Sequence, residues 1–234
     1  MCNIMVYWIG YRRLVLPKEM KTHGTMIERK DMRKIVILSF MTLDNVMQAP
    51  GGEGEDPSGG FDYEGWVTPY LDEAGLMEMD RQMSVPFDLL LGRKTYDIFA
   101  DYWPSHPEEG ASLNAAVKYV ATRRGVRDRW DKTVFITGDV SEKIKALKAQ
   151  DGPMLQVHGS GELIQILLKH DLADELWLKI FPIVLGKGKR LFEPGISPAA
   201  FRLTEQSVTP SGVILAKYER SGQVEVATYE AKPS

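Results

Sequence analysis

The segment Lys34–Met41 (KIVILSFM) decides the fold of this chain, because it is a compact apolar run rich in β-branched residues. Such a run is typical of a strand that is buried on both faces of a parallel sheet. It therefore predicts a buried strand. Similar runs predict further strands at Phe87–Leu91, Lys118–Thr122, Thr133–Thr137, Pro153–His158 and Glu175–Phe181.

Amphipathic segments between these runs predict the helices that connect parallel strands. The first helix, Tyr70–Met83, is expected to turn Leu71, Ala74, Met77 and Met83 towards the core. The others are predicted at Arg93–Ala100, from Asp139 or Ser141 to Ala149, and at Gly161–Lys169.

The C-terminal part of the chain has a different pattern. Phe201–Val208 and Val213–Arg220 alternate around Thr209-Pro210-Ser211-Gly212, which predicts an antiparallel hairpin. Alternating strands and helices followed by a hairpin indicate an α/β protein. Its sheet is expected to be mixed and mostly parallel, with the antiparallel hairpin at one edge.

Composition excludes several classes of protein. The 234 residues carry a net charge of −3, which does not favour nucleic acid or an anionic membrane as a partner. A single cysteine, Cys2, excludes an intramolecular disulfide, and the four histidines lack the spacing of a metal site. No apolar run is long enough to span a bilayer, and no signal peptide is recognised. A cytoplasmic location is expected.

The chain divides into a short extension, one domain and a tail. Residues 1–31 are relatively basic and precede the first strong strand signal, so they are expected to form a poorly ordered N-terminal extension. The domain is expected to cover residues 32–230. Residues 231–234 are expected to form a tail.

Four glycine-containing motifs follow predicted strands, where ligands bind in open α/β sheets. Gly92-Arg93-Lys94-Thr95 could hold a phosphate at a helix N-terminus, and Gly159-Ser160-Gly161 could approach a pyrophosphate closely. Thr122 with the pair Arg123-Arg124 could clamp a ribose 2′-phosphate, and Gly138 follows the next strand. Each motif alone also fits a simpler interpretation: turn glycines, the helix caps Thr95 and Ser160, and a solvated basic pair.

The predicted loop between Thr42 and Val67 is long and rich in glycine. Its aromatic residues Phe61, Tyr63 and Trp66 favour a mobile lid over a ligand, although composition fits a solvated connection equally well. Between Lys34 and Arg81 the chain has acidic residues but no Lys or Arg, which argues against nucleic acid at this edge.

Two titratable residues stand at the same predicted sheet edge. Asp44 follows the first strand and could orient a substrate or relay a proton, or it could form an Asx turn. His158 ends its strand beside the glycine motif, although a histidine at such a position is more often structural than catalytic.

Taken together, these residues resemble the dihydrofolate reductase superfamily, and within it the RibD C-terminal domain family. No single fragment carries the resemblance, but the order and spacing of all of them do. The resemblance covers about Met32 to Tyr229 and is carried by Lys34–Gln48, Gly59–Tyr70, Leu89–Trp103, Gln156–Gly161 and Ile180–Phe192.

The resemblance implies a dihydrofolate-reductase-like, three-layer αβα fold and NADPH as hydride donor. It implies that Asp44 lies at the active-site edge and that Gln48, Phe61, Trp66, Gly186 and Gly188 lie on the substrate or lid side. Cofactor contacts are implied for Gly92, Arg93, Lys94, Thr95, Thr122, Arg123, Gly138, Gly159, Ser160 and Gly161. The sequence departs from the family in lacking a clear acidic residue in the first helix, where Asp72 and Glu73 are the nearby candidates.

The leading hypothesis is therefore an NADPH-dependent reductase that transfers hydride to a C=N or C=O group of a small heterocyclic or ribosylamine substrate. The alternative is a nucleotide-binding sensor or interaction module without catalysis, which the missing proton donor favours. A homodimer is expected from the hairpin and from the segment that contains Trp177.

Overall fold

A computed structural model describes residues 32–123 and 127–227 of the chain. Its strands form one sheet of eight in the order β4-β3-β2-β5-β1-β6-β8-β7. The expected N-terminal extension, residues 1–31, and the tail, residues 231–234, lie outside the described residues. The strands are β1 (Ile35–Thr42), β2 (Phe87–Gly92), β3 (Lys118–Ala121), β4 (Thr133–Ile136), β5 (Met154–Val157), β6 (Glu175–Phe181), β7 (Ala200–Val208) and β8 (Ile214–Gly222).

The first six strands run parallel, and β8 and β7 add an antiparallel hairpin next to β6. Strand β1 lies between β5 and β6 and is buried along nearly its whole length. Its apolar side chains are needed on both faces because helices cover each side of the sheet. The predicted α/β class, the mostly parallel mixed sheet and the C-terminal hairpin are confirmed.

Five α-helices of the described residues lie in two layers, one on each side of the sheet. One layer packs α4 and α5 against β1 and β5 through a core that includes Ile144, Leu167 and Leu155. The other layer packs α2 and α3 against β2 and β3 through Leu89, Tyr96 and others. The helices are α1 (Glu73–Met83), α2 (Arg93–Tyr102), α3 (Ala111–Ala115), α4 (Val140–Lys148) and α5 (Gly161–Lys169).

The predicted inward face of α1 is wrong at Met77, which is 65% exposed, whereas Gly75 and Gln82 are buried. Leu71 and Met83 are partly buried and pack against apolar clusters, as predicted. The buried face of α1 contains polar and small residues because this helix lies beside a cavity rather than on a fully apolar core. The short helix α3 was not predicted, since five residues are too few to show a helical period.

The parallel direction of β1 to β6 places the ends of these strands at one edge of the sheet. At that edge β2 leads directly into α2, and β5 reaches α5 after three residues. In the part of the chain that the structure describes, no helix combines the length and the apolar character needed to cross a membrane.

Candidate functional site

The turns that follow β2 and β5 are in direct contact. The amide of Gly92 donates a hydrogen bond of 3.0 Å to the carbonyl of Gly159. A Cβ added at Gly92 would lie 2.8 Å from the Ser160 backbone nitrogen, and one at Gly159 would lie 2.7 Å from Thr95 Oγ1. Glycine is therefore required at both positions, because any side chain would push the two turns apart.

The N-termini of α2 and α5 both point into this junction, and neither has a side-chain cap. Gly92 has no side chain to cap α2, and the hydroxyl of Ser160 makes no capping hydrogen bond to α5. By contrast, Asp72 caps α1 and Asp139 caps α4. The first amides of α2 and α5 thus remain available for an anion.

A cavity of about 240 Å³ lies beside these two helix ends. The sheet lines it with Leu38, Phe40 and Lys179, and α1 lines it with Gln82 and other residues. The helix α2 and the loop after β1 complete the wall. The lining also contains Gln48, Gly51, Glu55, Asp56, Lys94, Thr95, Ile98, Phe99, His158, Gly159, Ser160, Gly161 and Lys189.

A buried polar network forms one side of this cavity. The ammonium of Lys179 donates a 2.6 Å hydrogen bond to Gln82 Oε1, and Nζ lies 5.1 Å from the centre of the Phe40 ring. Gln156 Nε2 donates to the backbone carbonyl of Gln82 at 2.8 Å, and Gln156 Oε1 lies 3.2 Å from His158 Nε2. These residues place polar groups at a cavity that is otherwise mostly apolar.

The cavity shifts the pKa of three of its residues. Burial lowers the pKa of Lys179 to about 8, while the charge of Glu78 opposes this shift and Lys217 adds to it. Enclosure by protein and the charge of Lys179 lower the pKa of His158 to about 3, although part of its ring faces the cavity. Burial raises the pKa of Glu55 to about 7 against backbone hydrogen bonds from Gly51 and Gly52.

Lys179 and Gln82 were not among the predicted site residues. The signal in the sequence was a lysine inside the otherwise apolar strand Glu175–Phe181 (ELWLKIF), since a buried lysine is rare without a reason. Gln82 was not predicted because the expected inward face of α1 was chosen from apolar residues. Its partner, Lys179, lies 97 residues away along the chain.

The loop after β1 is ordered and tied to the segment that follows β6. Gln48 donates to the carbonyls of Asp56 and Ser58 and accepts from the amide of Lys189. Lys189 pairs with Asp56, and Lys187 pairs with Asp62. Two acidic residues of this loop, Asp56 and Asp62, are thus matched by lysines that are distant in sequence.

Two of the three aromatic residues predicted for the lid, Phe61 and Trp66, are buried, whereas Tyr63 is exposed. Phe61 and Trp66 belong to a buried cluster with Phe181 and do not themselves line the cavity, although Ala49 of this cluster does. Gly188 is needed for this packing, because a Cβ there would lie 2.8 Å from Phe61. Phe61 and Trp66 thus support the packing of the loop, Gly186 and Gly188 also lie outside the lining, and a contact of these residues with substrate stays a prediction.

Asp44 lies outside the cavity lining as well. Its carboxylate accepts hydrogen bonds from Thr42 Oγ1 at 2.6 Å and from the amides of Leu185 and Gly186 at 3.2 and 2.8 Å. Burial opposes ionisation, but these hydrogen bonds outweigh it and hold the pKa of Asp44 below its usual value. This placement argues against the predicted catalytic role and indicates that Asp44 fastens the segment after β6.

The predicted cofactor residues divide into two groups. Lys94, Thr95, Gly159, Ser160 and Gly161 line the cavity, and Gly92 supports them from behind. Arg93 does not line the cavity, because its guanidinium turns to Asp97 on its own helix. Thr122, Arg123 and Gly138 follow β3 and β4 at the same sheet edge but away from the cavity; Arg124 lies outside the described residues.

The two candidate acids of the first helix do not reach the cavity. Asp72 accepts from the amides of Gly75 and Ser211 and so holds the start of α1 against the β7–β8 turn. Glu73 is exposed. Any proton donor must therefore come from elsewhere in the lining.

The fold and this site define a class: an open α/β domain with a ligand cavity at the carboxyl ends of its strands, where two uncapped helices begin. The chain belongs to the RibD C-terminal domain family, whose sequence profile matches residues 33–215.

Two curated relatives from Bacillus subtilis (strain 168) match most of the chain. The uncharacterized protein YyaP is 25% identical over 207 residues, which is 84% of this chain and 100% of YyaP. The uncharacterized protein YwjB is 27% identical over 171 residues, which is 73% of this chain and 89% of YwjB.

Solved structures share the fold. A Shewanella sp. PV-4 protein provisionally assigned to riboflavin biosynthesis matches with a TM-score of 0.57 and 23% identity, over 80% of this chain and 99% of that one. The deaminase/5-amino-6-(5-phosphoribosylamino)uracil reductase of Thermotoga maritima matches with a TM-score of 0.54 and 16% identity, over 82% of this chain and 58% of that one. Dihydrofolate reductase from Enterococcus faecalis, complexed with NADP(H), matches with a TM-score of 0.50 and 12% identity, over 80% of this chain and 96% of that one. The expected dihydrofolate-reductase-like fold is confirmed.

We predict that Asp44→Asn destabilises the protein by about 1–3 kcal/mol, because a charge-assisted acceptor of three hydrogen bonds is lost. The advantage of the wild type should shrink as the pH falls below about 4, since a carboxyl with a lowered pKa stabilises the fold only while ionised. Urea denaturation at several pH values measures both. The control Asp62→Asn, which removes an exposed ion pair with Lys187, should cost at most about 1 kcal/mol.

A second prediction concerns Lys179→Met. A lysine with a pKa of about 8 when folded and 10.5 when unfolded opposes folding at neutral pH, and this penalty disappears as the pH rises between those values. Between pH 7 and 9.5 the wild type should therefore gain about 2 kcal/mol of unfolding free energy relative to the variant. An equal pH dependence of both proteins in urea denaturation would show that Lys179 titrates normally.

Proposed function

We propose that this protein is an NADPH-dependent reductase that transfers hydride to a C=N or C=O group of a small heterocyclic substrate. The observation that carries the proposal is the meeting of the uncapped N-termini of α2 and α5 at Gly92 and Ser160, beside one mostly apolar cavity. Membership of the RibD C-terminal domain family supports it.

The residues present fit a dinucleotide cofactor. Gly161 lines the cavity at the first position of α5, and a Cβ added there would meet no protein atom within 4 Å. A phosphate could therefore approach the α5 amides closely without a clash. Lys94 and Thr95 at the start of α2 would add a cation and a hydroxyl on the opposite side.

When bound, NADPH would supply the hydride and its two electrons. The apolar residues Leu38, Phe40, Ile98 and Phe99 would hold flat rings and exclude water from the reacting carbon. The polar network around Lys179 would orient the heteroatom of the substrate's double bond. The loop tied through Gln48 and Lys189 would cover the site.

Calorimetry with NADPH tests the first half of this proposal, and oxidation of NADPH followed at 340 nm with a panel of pterins and pyrimidine ribosylamines tests the second. We expect saturable binding and turnover with part of the panel. Binding without turnover on any substrate would instead favour the alternative, a nucleotide-binding module without catalysis. An absence of NADPH binding would exclude both the reductase and the nucleotide-binding module.

We predict that Gly161→Ala weakens NADPH binding by about tenfold or more while the thermal midpoint stays the same or rises. The protein has room for the methyl group, and alanine favours the helix, but a phosphate on the α5 amides would meet the added Cβ. Lys169→Ala, at the other end of α5, is the matched control and should leave NADPH binding unchanged. Equal affinity in Gly161→Ala would place the phosphates elsewhere.

A further prediction tests the preference for the phosphorylated cofactor. If Arg123, exposed at the end of β3, contacts the ribose 2′-phosphate, Arg123→Ala should raise the Kd for NADPH about tenfold and leave the Kd for NADH nearly unchanged. Arg202→Ala, another exposed arginine on β7, should change neither value. A parallel loss for both cofactors would exclude a role in 2′-phosphate recognition.

A further inference from the structure

Lys179 is the most buried charged group of the cavity. Its residue is 4% exposed, and it lines the cavity from β6. The Nζ atom lies against two other lining residues, Gln82 and Phe40. A protonated amine has three N–H donors, and among the described residues it makes one hydrogen bond. Within residues 32–123 and 127–227 no second protein oxygen accepts a hydrogen bond from Nζ.

We propose that Lys179 is the proton donor of the reductase, delivering its proton to the nitrogen or oxygen of the substrate's double bond. This inference rests on the proposed function and deepens it, because it defines the substrate as one whose acceptor atom, C=N or C=O, lies beside the Phe40 ring and Gln82. The amide of Gln82 holds Nζ by accepting one of its three N–H bonds.

The step balances in atoms and electrons. Hydride from NADPH forms a new C–H bond at the substrate carbon, and the π bond of the C=N or C=O group breaks towards the heteroatom. That heteroatom takes the proton of Lys179 Nζ, which leaves a neutral amine. NADPH is oxidised, the substrate is reduced by two electrons, and the amine regains a proton from solvent after the product leaves.

The surroundings of Lys179 favour this role. The groups that face it are Glu78 on α1, Lys217 on β8 and His158 after β5. Glu78 is connected to it through Gln82, whose Nε2 donates to Glu78 at 2.8 Å. Burial and the positive charge of Lys217 both disfavour a positive charge on Lys179. The free energy needed to remove the proton from Lys179 is therefore lower than it would be in water.

The other titratable groups fit less well. His158 is neutral at physiological pH and so lacks a proton to donate in the acidic form. Asp44 is ionised and lies outside the lining. Glu55 is the competing candidate, because it lines the cavity and burial raises its pKa to about 7; its carboxylate already accepts from the amide of Gly51.

The discriminating variants are Lys179→Arg and Lys179→Gln. Arginine keeps a positive charge and hydrogen-bond donors but does not release a proton near neutral pH. We expect both variants to bind NADPH with near wild-type Kd, which shows that they fold, and to lose kcat by about 10²–10⁴-fold. The wild-type kcat should fall above about pH 8, and this alkaline limb should be absent from both variants.

A measurement without turnover complements the kinetics. In protein labelled with ¹³C at lysine Cε, two resonances should titrate near pH 8, because burial also lowers the pKa of Lys118 to about 8, and one of the two should disappear in Lys179→Gln. Exposed Lys143→Gln is the matched control and should keep both the kcat and the alkaline limb.

Three outcomes separate the possibilities. Wild-type turnover that survives within a few-fold in Lys179→Arg, with its alkaline limb intact, overturns the proton-donor role and leaves the reductase function standing. Loss of the alkaline limb in Glu55→Gln but not in the Lys179 variants also overturns it and assigns the proton to Glu55. No NADPH binding by the wild type overturns the proposed function itself.

Discussion

The close approach of two strand-exit turns is the constraint on which the site depends. The hydrogen bond between Gly92 and Gly159 leaves no room for a side chain on either residue, and it sets the starts of α2 and α5 against each other. Both starts lack a side-chain cap, so their amides share one small volume. Elsewhere in the described chain an aspartate caps α1 and α4, which shows that capping was available to this sequence.

The cavity lies beside the same junction and is enclosed by the sheet, α1, α2 and the loop after β1. Its lining is mostly apolar, with Lys179 and Gln82 on one side and Lys94 and Thr95 at the start of α2. Ligand sites commonly combine a large apolar surface with a few placed polar groups. Burial is the largest cause of the pKa values of about 8 for Lys179 and about 3 for His158, and a neighbouring lysine charge adds to each shift.

Sequence patterns predicted the strands well, because the parallel strands are short apolar runs bounded by turn residues and the hairpin strands alternate around a turn, and β6 matches its prediction at both ends. They also predicted which glycine motifs would stand at the sheet edge. Local patterns failed where a residue's environment is created by distant parts of the chain. Lys179 looks like one polar residue in an apolar strand until Gln82 is placed against it, and Asp44 looks catalytic until its three donors are known. Met77 was wrongly placed on the inward face of α1, because a hydrophobic pattern does not show which helix residues line a cavity.

Strand β6 and the segment after it contribute both to the cavity and to the anchoring of the loop after β1. The strand carries Lys179 into the cavity, and within ten residues of that lysine the chain supplies the anchors of the covering loop, Gly186 for Asp44 and Lys189 for Gln48. A slip of β6 against β1 would alter both the chemistry of the cavity and the entrance to it. A change in β6 would therefore act on the polar side of the cavity and on the anchoring of this loop together.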